Sequence, residues 1–404
     1  MQCALCQGRV SEVMDFGDVA LAGAFLTPED FATERKHRLR LAYCESCLLL
    51  QVPDRVDSST LFRDYFYFSS ATETMRRHFN LLAMEIAEMR PQSVVEIGCN
   101  DGVLLKPLAE RGVDVVGVDP ARNVVATIAD DRIEVINEFF GPGVVSGKAD
   151  VVVANNVFAH MPDIHGVTRA ISDLLTNDGV FIFEVNRLDS MIADLQYDWV
   201  YHEHLFYFSL LALEKHFKNH GMEIFDCKKL GTHAGSMRYY AAKAGSRLKT
   251  KAVRIQMEIE IGRGLNKVER FELFERRASE HRLQMRSLVS EYRSVAGYGA
   301  CGRANTMLQF CGFGKEDIQY IVDDAPAKHG YYTPGSHIPV VSRDSLISKP
   351  EPDCLIVFAW SFMNEIRAKL LGYAGKVFVP LPHIYEHKRS GWAEMDGIGQ
   401  WRVA

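Results

Sequence analysis

"SVVEIGCNDGVLLKPLAERGVDVVGVDPARNVV", residues 93–125, decides the fold. "SVVEI" is a short apolar run with strand composition. "GCNDG" follows, a loop whose glycines let backbone come close to a ligand. "VLLKPLAERG" reads as a helix capped by Gly112, and "VDVVGVDP" as a second strand ending in Asp119. Strand, glycine turn, helix, strand and acid open a doubly wound α/β sheet, whose ligands sit outside the carboxyl ends of the strands. An acid ending the second strand can hold both ribose hydroxyls.

The spacing of the loop narrows the ligand. G-x-G-x-x-G would favour a dinucleotide with its pyrophosphate on the helix N-terminus. Here the pattern is E-x-G-x-x-x-G, with Glu96 two residues before Gly98. An anionic Glu96 repels phosphate and suits an amine-bearing or cationic ligand, and S-adenosylmethionine carries both an amino group and a sulfonium. With Asp119 downstream, this block resembles motif I and the ribose acid of class I methyltransferases. That resemblance implies donor contacts from Glu96, Gly98, Asn100, Asp101, Gly102 and Asp119, and from Asn155 after the fourth strand.

The alternation continues outward. "ADVVVANNVFAHM" is a fourth strand leading into a polar loop with Asn155, Asn156 and His160. "VTRAISDLLTNDG" is a helix ending at Gly179, and "VFIFEVN" a fifth strand. Upstream, "ATETMRRHFNLLAMEIAEMR" carries Met75, Phe79, Leu82 and Ile86 at helical spacing and stops at Pro91. Residues 247–292 are charged and helical and read as a solvated linker. Beyond it, "GYGACGRANTML" and Asp323 in "IVDDAP" suggest a second Rossmann-like unit with four short strands. No phosphate-binding lysine follows this second loop, so a cofactor, a substrate nucleotide or a purely structural role all stay open.

Cys3 and Cys6, then Cys44 and Cys47, form two C-x-x-C pairs separated by residues 7–43. Four thiolates make a closed tetrahedral set for a structural zinc. The other cysteines read as core residues, because a disulfide framework is not expected in a reducing compartment.

"YHEHLFYFS", residues 201–209, concentrates two histidines, a glutamate and two tyrosines. Read as a strand, it puts His202 and His204 on one face, which suits acid–base work, substrate binding or a metal. Taken in order, the two C-x-x-C pairs, "EIGCNDG", this block, "GTHAGSMRYY" and "GYGACGRANT" resemble the nucleotide-sugar C-methyltransferases over nearly the whole chain. The resemblance implies an α/β fold: a class I methyltransferase sheet flanked by an N-terminal zinc-binding domain and a C-terminal Rossmann-like domain. We place these at residues 1–60, 61–245 and 246–404. It implies S-adenosyl-L-methionine as donor, Zn2+ on Cys3, Cys6, Cys44 and Cys47, and a nucleotide-linked keto-deoxysugar as acceptor, methylated at C3 of a 4-keto dTDP-sugar. Carried over by position, catalytic work falls on His204 as base, with Tyr201, Glu203 and His160 beside it. Substrate contacts fall on Tyr65 or Tyr67 in "YFYFSS" and on His202. In "GTHAGSMRYY", read from the residues themselves, Ser236 would let backbone approach the sugar or diphosphate, and Arg238 fits either a diphosphate partner or a surface arginine.

Composition bounds the alternatives. The 404 residues are 47% hydrophobic and 24% charged, with a net charge of −6. This argues against a nucleic-acid surface, which needs clustered Lys and Arg. No apolar run approaches the ~20 residues of a membrane span, and "MQCALCQGRV" lacks the apolar core of a signal peptide, so a cytoplasmic location is expected. A monomer is the default expectation, since no long apolar helix stands out as an interface. The rival readings are an O- or N-methyltransferase of a small metabolite, a nicotinamide-dependent oxidoreductase using the second glycine loop, and a non-catalytic zinc-ribbon module.

Overall fold

A computed structural model describes residues 1–63, 65, 67–346 and 350–387, together with the backbone of 394–395 and 401–402. The first unit is a small antiparallel sheet. β1 (Ser11–Ala20) pairs with β2 (Lys36–Tyr43), and β2 with β3 (Leu50–Gln51). The two C-x-x-C turns lie at its edge, packed in one core with apolar residues of the following unit.

α1 (Ser58–Phe62) leads to α2 (Glu73–Glu88), whose N-cap Thr72 accepts from the Met75 amide at 3.3 Å. α2 buries Met75, Phe79, Leu82 and Ile86, the stripe read from the sequence, plus Ala83. Then come β4 (Ser93–Ile97), α3 (Leu105–Ala109), β5 (Asp114–Val118), α4 (Arg122–Val125), β6 (Ile133–Ile136), β7 (Ala149–Asn155), α5 (Ile164–Leu174) and β8 (Leu175–Asn186). Strands β4 to β8 pair in parallel. Their near-continuous Val and Ile runs fit strands covered on both faces. α3 is shorter than expected: five helical residues and a turn, with Gly112 at φ +78° just beyond.

α6 (Leu188–Ala193), β9 (Phe206–Tyr207), α7 (Leu210–Lys218), β10 (Met222–Leu230) and β11 (Ser236–Lys243) follow. β11 joins β8 antiparallel and β10 joins β11, giving the order β10-β11-β8-β7-β4-β5-β6. β9 leaves this sheet and pairs with β3, so the "YHEHLFYFS" block ends as the fourth strand of the N-terminal sheet.

Two expectations are corrected. Residues 201–204 are not a strand: the His204 amide donates to the Tyr201 carbonyl at 3.0 Å, closing a turn, and extended backbone begins only at Phe206. Residues 247–292 are not a solvated linker. α8 (Lys251–Gly262) buries Val253, Gln256 and Glu260, and α9 (Val268–Ser290) buries Phe271, Phe274, Ala278, His281, Met285 and Leu288. That is an i, i+3, i+4 stripe hidden among many charges. Glu260 reaches the start of α7, where its carboxylate accepts from the Leu210 and Leu211 amides at 2.9 and 3.1 Å. Burial nonetheless lifts Glu260 to about 7, against those bonds.

The C-terminal unit is β12 (Val295–Tyr298), α10 (Gly302–Cys311), β13 (Ile321–Val322), β14 (Val340–Val341), β15 (Cys354–Val357), α11 (Met363–Lys369), β16 (Lys376–Val379) and β17 (Tyr385–Glu386). The order is β14-β13-β12-β15-β16-β17, parallel except for β17. The four strands read from the sequence gain two more, each only two residues long and too short to show a pattern. Among the described residues no helix is long and apolar enough to cross a membrane.

Candidate active site at the strand ends

The motif I loop turns over the carboxyl ends of β4 and β5. Gly98 has φ +72°, and a Cβ there would lie 2.4 Å from Val157 Cγ1, so only glycine fits. The buried Asp119 carboxylate accepts from the Asn100 and Ala121 amides at 2.9 and 2.8 Å. Glu96 is fully enclosed, and desolvation holds its carboxyl well above the usual range. Glu96 Oε1 accepts from Asn155 Nδ2 at 3.4 Å, while Glu96 Oε2, Asn155 Oδ1 and Asp101 Oδ1 are buried with no protein partner. Orphaned buried acceptors cost free energy unless something donates to them. Three of them around one glycine loop fit a ligand bearing amine, hydroxyl or cationic groups.

Over this loop lies the aromatic strap. Asn100 accepts from the Ser69 amide at 2.8 Å and donates to the Tyr67 carbonyl at 3.1 Å. Asp101 accepts from the Ser70 amide at 2.9 Å. Asn123, after Asp119, clasps Tyr65 by accepting from its amide at 2.9 Å and donating to its carbonyl at 2.8 Å. The Tyr65 hydroxyl then donates to Glu203 Oε2 at 2.9 Å. One residue thus spans from the glycine-loop side to the "YHEH" turn. Tyr67 is 44% exposed and touches Tyr65 edge-on, with ring centroids 6.4 Å apart.

His204 sits in an aromatic box. Its ring lies 4.0 Å from that of Tyr201, 5.0 Å from Trp199 and 5.0 Å from His160. His204 Nδ1 is 2.8 Å from the Trp199 carbonyl. A carbonyl only accepts, so Nδ1 carries the proton and Nε2 is the ring's acceptor. His160, just after β7, stacks on Phe62 with centroids 5.6 Å apart, and burial pulls it down to about 4, so it is neutral near pH 7. Burial lifts Glu203 to about 7 and keeps the Tyr201 phenol protonated.

The other expected substrate residues are elsewhere. His202 faces the N-terminal sheet, its Nε2 donating to the Arg38 carbonyl at 3.0 Å, because the turn sends it away from His204. Arg238 is 3% exposed inside β11 and its guanidinium pairs with Glu184 at 2.6 Å and Glu85 at 2.7 Å. Its charge is already neutralised, which removes it as a diphosphate partner. Ser236 is fully buried and donates to the Thr232 carbonyl at 3.2 Å. Sequence reading missed Phe62, Asn123 and the Trp199 carbonyl. Phe62 sits in the aromatic run that drew attention to the strap, whereas a backbone carbonyl leaves no sequence signal.

An alignment of 401 positions, covering 94% of this chain and 95% of the other protein, relates it to C-methyltransferase NovU of Streptomyces niveus at 33% identity. The chain belongs to the C-methyltransferase family. Residues 3–62 match a zinc binding domain family, 67–226 a methyltransferase domain family and 231–382 the C-methyltransferase C-terminal domain family. A ubiquinone biosynthesis O-methyltransferase of Azorhizobium caulinodans is 29% identical over 117 residues, 27% of this chain and 46% of that one. Magnesium protoporphyrin IX methyltransferase of Synechocystis PCC 6803, solved with bound SAM, is 15% identical and covers 47% of this chain and 98% of its own, with a TM-score of 0.36. By the full-length match and the family models, the protein is an S-adenosylmethionine-dependent C-methyltransferase, which displaces the oxidoreductase and O- or N-methyltransferase readings.

The zinc set of this C-methyltransferase fits its metal. Cys3 and Cys47 sulfurs lie 3.3 Å apart, Cys6 and Cys44 sulfurs 3.5 Å, and all four lie within 4.8 Å of one another. Four sulfurs this close cannot all ionise without a cation among them, which is what tetrahedral zinc supplies. The remaining five cysteines are free and four of them buried.

Proposed function

We propose that this C-methyltransferase acts on a carbon beside the ketone of a nucleotide-linked keto-deoxysugar, C3 of a 4-keto dTDP-sugar, by base-assisted enolate formation. The observation that carries this reading is the fixed tautomer of His204. A carbon next to a carbonyl becomes nucleophilic only when it loses a proton, and a base must be poised to take it. With Nδ1 committed to the Trp199 carbonyl, His204 presents Nε2 as that base. The rings of Trp199 and Tyr201 wall the His204 imidazole at 5.0 and 4.0 Å, an apolar setting that would limit water at the transfer.

The developing enolate oxygen needs donors. Tyr201, held protonated, and the neutral His160 ring can each supply one hydrogen bond. Glu203 accepts from Tyr65 and thereby closes the strap over the acceptor. The donor supplies an electrophilic methyl group; Glu96, Asp101, Asn155 and Asp119 offer the carboxylates and amide that would hold its amine and ribose. No role is proposed for His202, Ser236 or Arg238 at the sugar.

The test is a panel of dTDP-, GDP- and CDP-linked 4-keto-deoxysugars incubated with enzyme and methyl-labelled S-adenosylmethionine, with the label located by NMR. The reading predicts label on C3 of a dTDP-linked member. Label on an oxygen, or turnover only of ketones bearing no nucleotide, contradicts it.

A further inference from the structure

A second histidine cluster lies away from the active site, at the seam between the zinc-binding unit and the methyltransferase sheet. His165 stands in the first turn of α5; His216 stands in the last turn of α7 and His220 in the turn just beyond its end. The chain turns just after α7, with the His220 amide donating to the Phe217 carbonyl at 2.9 Å, and this turn brings the two imidazoles together. The ring centroids are 5.1 Å (His165–His216), 5.0 Å (His165–His220) and 4.8 Å (His216–His220) apart. One nitrogen from each lies within 4.8 Å of the other two.

The surrounding bonds fix the protons. His165 Nε2 lies 3.2 Å from the Leu5 carbonyl, so it donates and Nδ1 keeps its lone pair. His216 Nε2 lies 2.8 Å from Thr168 Oγ1, whose own proton goes to the Ile164 carbonyl at 2.7 Å. His216 Nε2 therefore donates too, and its Nδ1 is a bare acceptor. That Nδ1 is buried with no partner, on a residue 1% exposed. His165 Nδ1 lies 2.8 Å from His220 Nε2. Two oriented lone pairs and a third imidazole, each oriented ring tied off by a backbone or hydroxyl oxygen, are the arrangement that metal-binding histidines adopt. A stranded acceptor in a packed interior is costly unless something fills it.

We propose that His165, His216 and His220 form a second, borderline transition-metal site, distinct from the four-cysteine zinc. Three neutral imidazoles with no carboxylate among them favour Zn2+, Ni2+ or Cu2+ over Mg2+ or Ca2+. His165 and His220 are each partly exposed, giving the ion a path in and solvent as a fourth ligand. Entry requires only that His220 move its ring proton from Nε2 to Nδ1. Arg169, one turn beyond His165, is the opposing charge near His220 and weakens the site. Because His165 also holds the carbonyl of Leu5, between Cys3 and Cys6, a bound ion would staple the zinc-binding unit to α5 and α7.

The test uses the full chain. Protein equilibrated with Zn2+ and desalted is expected to carry two zinc ions per chain; His220→Gln and His165→Gln are expected to carry one, with methyl transfer retained. One ion in the wild type, or two in both variants, overturns the proposal. Copper electron paramagnetic resonance on the wild type decides the matter without any variant. Cu2+ added to zinc-loaded protein should show superhyperfine coupling to three imidazole nitrogens, and a spectrum without nitrogen coupling refutes the site.

Discussion

The chain carries two glycine loops built to one plan, and they face different things. Gly98 and Gly299 both have positive φ, +72° and +93°, and their amides donate to Val118 and Val322 carbonyls, each at 2.7 Å. Asp119 accepts from the Asn100 and Ala121 amides; Asp323 accepts from the Ala300 and Ala325 amides, all at 2.8–2.9 Å. Around the first loop, three buried acceptors lack partners and a strap closes from above. Around the second, Lys328 bonds Asp323 at 3.2 Å and the Ala300 carbonyl at 2.7 Å. There α10 is pressed onto the rest of the molecule: Asn305 donates to the Ala22 carbonyl at 2.5 Å, Thr306 to Val200 at 3.1 Å, and Arg303 pairs with Asp198 at 2.8 Å. Asn305 Oδ1 there is buried without a protein partner, against three such atoms at the first loop. The glycine-and-acid pattern thus specifies a turn, and the larger unfilled hydrogen-bonding capacity under a strap marks the first loop as the ligand side.

The comparison can be broken at the glycines themselves. A Cβ at position 299 would lie 2.3 Å from Ala359 Cβ and 2.9 Å from its backbone nitrogen, whereas at position 98 it meets only the Val157 side chain. Gly299→Ala should cost several kcal/mol of stability, on the order of a core overpacking plus backbone strain, with donor affinity retained. Gly98→Ala should instead lose donor affinity by tenfold or more, since about 1.4 kcal/mol suffices. Thermal melts and calorimetry with S-adenosylhomocysteine read both; equal loss of affinity in the two variants would erase the distinction.

Glu203 sharpens it next. Its value rises from 4.5 unfolded to about 7 folded, through burial opposed by the Tyr65 bond. A raised carboxyl favours folding fully below the unfolded value, and that contribution is lost as pH rises through about 7. The gap corresponds to roughly 3 kcal/mol. Glu203→Gln should therefore gain stability on wild type above pH 7 and show none of that gain near pH 4.5. In the wild type, protonation of Glu203 is expected to lower kcat/KM as pH falls through about 7, and Glu203→Gln should lose that component of the acid-side fall. Tyr65→Phe removes the strap's bond to that carboxylate and should lower kcat/KM by about tenfold, the scale of a charge-assisted hydrogen bond. The smallest effect belongs to Lys328→Gln. It opens Asp323 at a cost of about 1 kcal/mol or less, with turnover unchanged and no nicotinamide binding gained in a fluorescence titration.

How much could be read in advance depended on whether a feature was local. The β4-to-Asp119 unit, the α2 stripe and the cysteine pairs are local patterns, and each appears in the fold. The Tyr-His-Glu-His alternation imitates a strand, but a turn bond between Tyr201 and His204 sends its histidines to opposite sides. Arg238 read as an exposed diphosphate partner because Glu85 and Glu184, its true partners, lie 153 and 54 residues away. The helices after residue 250 buried a stripe that their charge concealed. The tautomer of His204 depends on a carbonyl, which every residue has.

The most direct test is proton exchange at the acceptor carbon without any methyl transfer. A dTDP-4-keto-deoxysugar incubated in D2O with wild-type enzyme and S-adenosylhomocysteine should take up deuterium at C3, while His204→Asn binds the same ligands and leaves that position protiated. Exchange at wild-type rate in His204→Asn would contradict the assignment of this imidazole as the base.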